Sequence, residues 1–336
     1  MDPFTQAVAG ATASQTCSSK NKIIIATIIG ALAGLSPDLD IFIRSDINPL
    51  LFLEYHRHFT HSLLFVPIGS LICSFVFYYT FAQRFSLSFK ETYLYSFMGY
   101  VTHGIIDSFT SYGTLLYWPF SNERVALNLV SVIDPLFTIP IFIFVIYGVI
   151  KRSKVFSMCA ILWVFTYQAT AYLQKDRAEN LIYEYALKNG HDVEKILAKP
   201  SFANIVVWKV IYSTSDKYYV NAIRLGKSHK LYPGESIDKL DIKKNFPWLK
   251  QSSQQSKDLD KFEWFSNGYL GTDKKNTNII YDVRFSSIPN HVEGLWGIKL
   301  NENNSEEKHV EYITNRKRNY DRFKILFDMV FDNYEY

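Results

Sequence analysis

The chain has 336 residues and a formal net charge of +4, too thinly spread to indicate a nucleic-acid-binding face. Its three cysteines, Cys17, Cys73 and Cys159, are far apart and indicate neither a disulfide framework nor a CxxC metal site. The basic run Arg316-Lys317-Arg318 is typical of a solvated patch.

Charged residues are distributed unevenly between the two halves of the chain. Residues 1–173 contain 10 Lys or Arg and 9 Asp or Glu, whereas residues 174–336 contain 26 and 23. The sparse first half is typical of a membrane protein and the second half of a water-soluble domain. We therefore predict an α-helical membrane domain at 1–173, followed by a soluble α+β domain at 174–336.

Apolar segments in the first half indicate where the chain crosses the membrane. A span requires about 20 mostly apolar residues, and the second and fourth segments meet this requirement best. The third contains His103 and Asp107, which are costly in lipid unless they face protein or water. We predict four to five spans from the segments at 22–36, 62–81, 93–109, 132–150 and 155–173.

Basic residues in the connections predict the orientation of these spans. If the chain crosses the membrane five times, the connections that contain these basic residues all lie on one side, which the positive-inside rule makes cytoplasmic. The opposite side then receives every polar residue singled out below and everything after Leu173, so the soluble domain is predicted to lie over one polar site. The basic residues concerned are Lys20, Lys22, Arg84, Lys90, Lys151, Arg152 and Lys154.

The second half shows a helix followed by strands. An apolar stripe predicts a helix at Lys175–Asn189, which Gly190 ends. Segments rich in β-branched and aromatic residues then predict an antiparallel sheet of about five strands, with polar loops at 252–256 and 301–307 and a last amphipathic helix at Arg322–Phe331. The predicted strands are Ile205–Tyr212, Lys217–Arg224, Lys261–Phe265, Ile279–Phe285 and Val292–Leu300.

Histidine is concentrated in two places in the membrane half. His56, His58 and His61 occur within six residues, directly before an apolar run, and neutral histidine is the commonest side-chain metal ligand. The three cannot share one helix face, so we expect two of them to be ligands, with His61 at the start of the second span. His103 and Asp107 are four residues apart, so on a helix they share one face. They either bind a cation together or form a buried hydrogen-bonded pair.

Three aspartates and one arginine have both structural and functional interpretations. Asp38 and Asp40 follow Ser36-Pro37, where acidic residues suit the first turn of a helix, and Asp134 precedes Pro135 at the start of the fourth segment, where it suits a helix cap. Their carboxylates are also hard oxygen ligands for Zn²⁺, Mn²⁺ or Mg²⁺. We predict Asp38 as a ligand and Asp40 or Asp134 as a general base or a positioning group. Arg57 either binds an anionic substrate group through its planar guanidinium or is a surface arginine.

Together these residues predict a hydrolytic metal centre. Mixed His and Asp ligands without cysteine suit catalysis better than a structural zinc site. A bound metal lowers the pKa of water and polarises a phosphoryl or carbonyl oxygen. The candidate ligands are His103, Asp107 and Asp38, with His61 and either His56 or His58 from the histidine cluster.

Several motifs together resemble one bacterial family, the inner-membrane-associated metal-dependent hydrolases, also labelled LexA-binding and YdjM-like. The similarity covers the membrane half and, more loosely, residues 204–208. The motifs are Met1-Asp2-Pro3-Phe4-Thr5-Gln6-Ala7, Ser36-Pro37-Asp38-Leu39-Asp40, His56-Arg57-His58-Phe59-Thr60-His61-Ser62, His103-Gly104-Ile105-Ile106-Asp107-Ser108-Phe109-Thr110-Ser111-Tyr112-Gly113-Thr114, Trp118-Pro119-Phe120-Ser121 and Ile133-Asp134-Pro135-Leu136-Phe137.

The resemblance implies a membrane-bound hydrolase with a divalent metal, whose ligands fall at Asp38, His56, His61, His103 and Asp107 in this chain. We expect zinc, with manganese or magnesium as alternatives. The family often has histidine where this chain has Gln6, and a neutral amide is a poor substitute for imidazole as a ligand. A weaker similarity, mostly in the His-x-x-x-Asp spacing, to zinc-dependent phospholipase C and P1-type nucleases favours a phosphoester substrate.

We therefore predict a hydrolase of the bacterial inner membrane that acts on a phosphoester or lipid-linked substrate, in contact with membrane lipid and with no nucleic-acid partner. Two alternatives are left open. One is a non-catalytic membrane protein that binds a regulatory protein partner, and the other is a transporter that uses intramembrane His and Asp. The polar residues gather at one end of the predicted bundle, which argues against the transporter.

Overall fold

Helices provide most of the regular structure of residues 1–188 in the computed structural model, which describes residues 1–273, 276–315 and 320–334. The predicted solvated run at 316–318 lies outside the described residues. The helices are α1 Pro3–Thr16, α2 Ile23–Leu35, α3 Leu51–Tyr55, α4 Val66–Thr80, α5 Phe89–Ser108, α6 Pro135–Lys151 and α7 Val155–Lys188, with 3₁₀ helices at Ser36–Phe42, Phe59–His61 and Ala82–Phe85.

Local capping signals explain where several helices begin. The Asp2 side chain accepts a hydrogen bond of 3.0 Å from the backbone N–H of Thr5 at the start of α1. Ser88 and Glu91 form a reciprocal capping box at the start of α5. Asp134 caps α6 and is followed by a proline at the first helical position. These polar side chains satisfy backbone N–H groups that have no partner within the helix.

Glycines allow α1, α2 and α5 to approach one another closely. A Cβ atom at Gly10 would lie 2.3 Å from the carbonyl oxygen of Gly30, and a Cβ atom at Gly99 would lie 2.4 Å from the same oxygen. Small residues at helix contacts are typical of membrane bundles. The five predicted apolar segments did not include α1, because its small and polar residues give it little apolar character.

All five predicted apolar segments are helical, but fewer are long enough to cross a membrane. Two helical stretches have the necessary length and apolar composition, Ile23–Phe42 and Val155–Lys188. A third arises if Leu51–His61 and Val66–Thr80, which meet at a bend of 85°, form one broken span. The described residues thus contain two to three candidate spans, and four to five are not confirmed.

The chain divides into a helical unit and an α+β unit. The helical unit contains Met1–Phe42, Tyr55–Tyr172 and Phe202–Asn204, and the α+β unit contains Ile43–Glu54, Leu173–Ser201 and Ile205–Tyr336. The later helices are α8 Ile242–Asn245, α9 Gln254–Ser266 and α10 Tyr320–Phe331. The strands are β1 Lys195–Pro200, β2 Val207–Ser213, β3 Lys217–Leu225, β4 His229–Tyr232, β5 Ser236–Asp238, β6 Leu270–Thr272, β7 Ile279–Asp282, β8 Trp296–Lys299 and β9 Glu311–Thr314.

Two antiparallel sheets form the framework of the α+β unit. One has the order β1-β2-β3-β4 with β5 also paired to β3, and the other has the order β6-β7-β8-β9. The C-terminal part of α7 packs Ala178 and Ile182 against Trp208 and Tyr212 of β2, all of them buried. This contact explains the apolar stripe that predicts a helix at Lys175–Asn189. The predicted helix and the apolar segment at 155–173 form one continuous helix, α7.

Three predictions for secondary structure were wrong. Lys261–Phe265 is not a strand but part of α9, since Leu259, Phe262 and Phe265 are buried at helical spacing. The predicted loop at 252–256 contains the start of this helix, which Ser253 caps. There are two sheets rather than one of about five strands. The last helix was predicted correctly as α10.

Candidate metal centre

Three segments of the helical unit bring the predicted site residues together. The 3₁₀ helix Ser36–Phe42 directly follows α2, and the loop before α4 ends in a second 3₁₀ helix. The predicted start of the second span at His61 is wrong, because α4 begins at Val66 and His61 ends that 3₁₀ helix. The residues contributed by these two segments and by α5 are Asp38, Asp40, His56, Arg57, His61, His103 and Asp107.

Four of these residues direct ligand atoms at one small volume. The Nε2 atoms of His61 and His103 are 2.9 Å apart. Asp38 Oδ1 lies 3.4 and 3.3 Å from these two nitrogens, and Asp107 Oδ2 lies 3.4 and 3.6 Å from them. Two ligands of a tetrahedral zinc ion, each bound at about 2.0–2.1 Å, are separated by roughly 3.3 Å. The spacing of the four atoms therefore fits a divalent metal.

Hydrogen bonds on the far side of each imidazole point its Nε2 atom toward this volume. His103 Nδ1 donates to the backbone carbonyl oxygen of Gly34 at 2.6 Å. His61 Nδ1 lies 3.0 Å from Thr60 Oγ1 and 3.2 Å from Asp40 Oδ2. Metal-binding histidines commonly have such partners, which fix the tautomer and the ring orientation. Both histidines are thus prepared to offer an Nε2 lone pair.

Asp40 organises the loop that contains the histidines. Its Oδ1 lies 2.8 Å from His56 Nδ1. Its Oδ2 accepts hydrogen bonds of 3.0 Å from the backbone N–H of Arg57 and from Thr60 Oγ1. Arg57 has a backbone φ of 64°, in the left-handed region that a non-glycine residue rarely adopts. The buried carboxylate of Asp40 therefore holds the loop in this conformation and positions the residues within it.

Asp107 is fully buried and surrounded by positive and polar groups. Gln6 Nε2 donates to its Oδ1 at 2.9 Å, and the α-amino group of Met1 contacts the same oxygen. Arg57 Nε lies 3.0 Å from Oδ2, but no described residue donates a hydrogen bond to that oxygen. A buried carboxylate oxygen without a hydrogen bond is costly. A metal ion at the ligand cluster would satisfy Oδ2.

Gln6 stands beside the cluster without being one of its four ligand residues. Its amide nitrogen binds Asp107 and faces the backbone carbonyl oxygen of His103 at 3.4 Å. The position that often carries histidine in the resembled family therefore supports a ligand by hydrogen bonding here.

Arg57 is buried rather than on the surface. Its Nη1 donates to Thr110 Oγ1 at 2.9 Å, and its guanidinium carbon lies 4.8 Å from the centre of the Tyr112 ring. With Asp107, these contacts hold the guanidinium beside the ligand cluster. Thr110 and Tyr112 were not singled out from the sequence, although both belong to the motif that begins at His103.

The remaining predicted residues occupy different surroundings. Asp38, Asp40 and His56 form a second group whose ligand atoms lie within 4.8 Å of one another, so that Asp38 belongs to both groups. The ring of His58 lies 5.6 Å from the ring of Trp118 and belongs to neither group. The Asp134 side chain accepts hydrogen bonds from the first N–H groups of α6 and from Tyr167 Oη, which explains its position by capping.

A glycine beside His103 permits the close approach of α5 to the histidine loop. A Cβ atom at Gly104 would lie 2.1 Å from the backbone carbonyl oxygen of His61. Gly104 was quoted in the sequence only as part of a motif. The need for a glycine here arises from a contact between distant segments, which spacing along the chain does not reveal.

The first half of the chain is similar to a known family of membrane proteins. A family model described as YdjM inner membrane protein matches residues 1–178. A curated relative, the uncharacterized protein YfhP of Bacillus subtilis, is 27% identical over 203 residues, which cover 59% of this chain and 58% of that protein. No solved structure matches the chain significantly. The family match covers all the residues of the ligand cluster.

Proposed function

This chain belongs to the YdjM family of inner membrane proteins, and we propose that it is a membrane-bound, metal-dependent hydrolase of a phosphoester or lipid-linked substrate. The observation that carries the proposal is the convergence of His61 Nε2, His103 Nε2 and one oxygen each of Asp38 and Asp107 at the spacing of metal ligands. His61, His103 and Asp107 are buried, whereas the side chain of Asp38 is 22% exposed. Asp38 therefore marks the accessible side of the cluster.

The chemistry of these ligands favours zinc, with manganese or magnesium as alternatives. Two imidazoles and two carboxylates without cysteine suit a catalytic centre. A divalent ion held there would supply a Lewis acid and an activated water molecule. The residues of the chain supply the rest, since Asp40 and Gly34 orient the two imidazoles and Arg57 offsets the charge of Asp107.

His56 is the residue best arranged to transfer a proton. Its side chain is 20% exposed, and its Nδ1 atom is engaged by Asp40. The Nε2 atom on the opposite side of the ring is then left to take a proton from water or to give one to a leaving group. We propose that Asp40 fixes the tautomer of His56. The second ligand group offers another role, in which His56, Asp38 and Asp40 bind a second ion.

Replacement of His56 by glutamine distinguishes these two roles. If His56 transfers a proton, the variant retains the metal content of the wild type and loses activity by about 10²- to 10⁴-fold. The measurement combines metal analysis of detergent-purified protein with a screen of phosphoesters and phospholipids. Loss of half the bound metal would instead assign His56 to a second ion. Full activity would contradict both roles.

We also propose a multi-pass topology in which the ligand cluster and residues 174–336 face the periplasm. The distribution of Lys and Arg between the apolar segments supports it. Protease added to intact spheroplasts is expected to digest residues 174–336, with a cytoplasmic protein protected as the control. Digestion only after lysis would contradict this orientation and would favour the alternative, a membrane protein that binds a cytoplasmic regulatory partner.

A further inference from the structure

Two buried lysines face each other in the first sheet of the α+β unit. Lys199 of β1 is paired in register with Lys209 of β2. They are only 9% and 2% exposed. Like charges directly opposite each other on a sheet are destabilising, and buried lysines normally require a charged partner. The pair therefore needs an explanation beyond the stability of the sheet.

The contacts of Lys209 are with uncharged groups. Its Nζ atom donates to Ser286 Oγ at 2.7 Å and to the backbone carbonyl oxygen of His291 at 3.1 Å. The buried carboxylate of Asp282 is already bound by both Nε and Nη2 of Arg284, at 2.9 and 2.8 Å. Lys209 is thus held in place by a serine hydroxyl and a carbonyl oxygen rather than by an ion pair.

These surroundings favour the neutral form of both amines. Burial lowers the pKa of Lys209 to about 7, although the negative charges of Asp282 and Glu235 act in the opposite direction. Burial also holds the pKa of Lys199 well below its usual range, and the positive charges of Lys209 and Arg284 add to this effect. Near neutral pH, Lys209 is therefore able to accept a proton, as exposed lysines are not.

We propose that Ser286 and Lys209 form a serine–lysine dyad that reacts with an ester or another acyl electrophile. This second reactive site shares no residue with the proposed metal ligands. A nucleophile within hydrogen-bond distance of a base, which a third group holds in position, is the arrangement of activated serines. Ser286 is partly exposed, whereas Lys209 is buried. The serine is therefore the more accessible member of the pair.

The reaction requires a neutral Lys209 and a rotation of the Ser286 hydroxyl. The hydroxyl now donates to the backbone carbonyl oxygen of Ile288 at 2.6 Å while it accepts from Lys209. When Lys209 is neutral, the hydroxyl turns and donates to Nζ. Oγ then forms a bond to the acyl carbon, its proton passes to Nζ, and the leaving group departs with the bonding electron pair and takes up that proton.

A fluorophosphonate probe tests the dyad in the full-length protein in detergent. Serine Oγ forms a bond to phosphorus, and fluoride leaves. We expect the probe on Ser286 in the wild type, at a rate that rises through pH about 7 as Lys209 loses its proton. Ser286→Ala removes the labelled position, and Lys209→Met lowers the rate by about 100-fold or more. Ser287→Ala is the matched control, because Ser287 is the neighbouring hydroxyl and accepts a hydrogen bond from Arg322.

Two results would overturn the dyad. One is a wild-type protein whose Ser286 is not labelled at any pH, and the other is equal labelling in the Lys209→Met variant. Lys209→Arg covers the case in which the methionine variant fails to fold, because arginine retains a charge and hydrogen-bond donors but does not act as a base. If the lysine only supports the loop structurally, the arginine variant keeps the labelling rate of the wild type.

Discussion

Replacement of either His61 or His103 by alanine is expected to remove the bound metal from detergent-purified protein while the protein stays in the membrane. Each change deletes one of four ligands, and the loss of affinity should exceed the 10- to 100-fold that is usual when only a supporting hydrogen bond is lost. Mass spectrometry of metal content, with the protein concentration measured independently, checks the result. Hydrolysis should fall with the metal content.

His58→Ala is the matched control for these variants. It lies in the same loop as His61 but belongs to neither ligand group. Wild-type protein and this control are expected to retain near-stoichiometric zinc or manganese. If wild-type protein holds no metal even after reconstitution, the histidines are structural and the proposal of a hydrolase fails. Normal activity in both the His61 and the His103 variants would also be incompatible with it.

Replacement of Gly30 by leucine is expected to disrupt the helical unit as a whole. A Cβ atom there would lie 2.2 Å from Ser14 Oγ and 2.4 Å from the carbonyl oxygen of Gly10, so α1 and α2 must separate. Overpacking of side chains alone commonly costs about 1–3 kcal/mol, and here backbone must move as well. We expect aggregation or a strong decrease in melting temperature in detergent, together with loss of metal.

Ala31→Leu provides the comparison for Gly30→Leu. It adds a similar side chain to the adjacent position of α2, which is partly exposed. That variant is expected to elute and melt like the wild type. Equal behaviour of the two variants would show that close contact between the helices is not what stabilises the unit.

The sequence predicted elements of the fold where a strong local pattern was sufficient. The apolar segments of the first half are helical, and the strand patterns at β2, β3, β7 and β8 were recognised. Lys261–Phe265 was assigned to a strand because its aromatic residues have high strand propensity, whereas the burial of Phe262 and Phe265 at helical spacing prevailed. The helix α1 has no apolar stripe, and tertiary contacts through glycines bury it.

The candidate site was accessible from the sequence only at the level of side-chain chemistry. Asp38, His61, His103 and Asp107 are residue types that bind metals, and the structure brings all four together. Asp40 was among the predicted residues, but the backbone groups that orient the ligands were not predictable. The partner of His103 is the backbone carbonyl oxygen of Gly34, and a carbonyl carries no sequence signal. The left-handed conformation of Arg57 likewise depends on Asp40, which is 17 positions away.

The contact between His103 and the last turn of α2 has a further consequence. The carbonyl group of Gly34 lies where the α-helix gives way to a 3₁₀ helix, so its oxygen is available to a side chain of α5. The ligand set is complete only when α2, α5 and the histidine loop are all in their final positions. If the proposed metal binds at this cluster, the amount retained after purification would report the fraction of molecules that assembled correctly, and misassembled chains would fail to retain it.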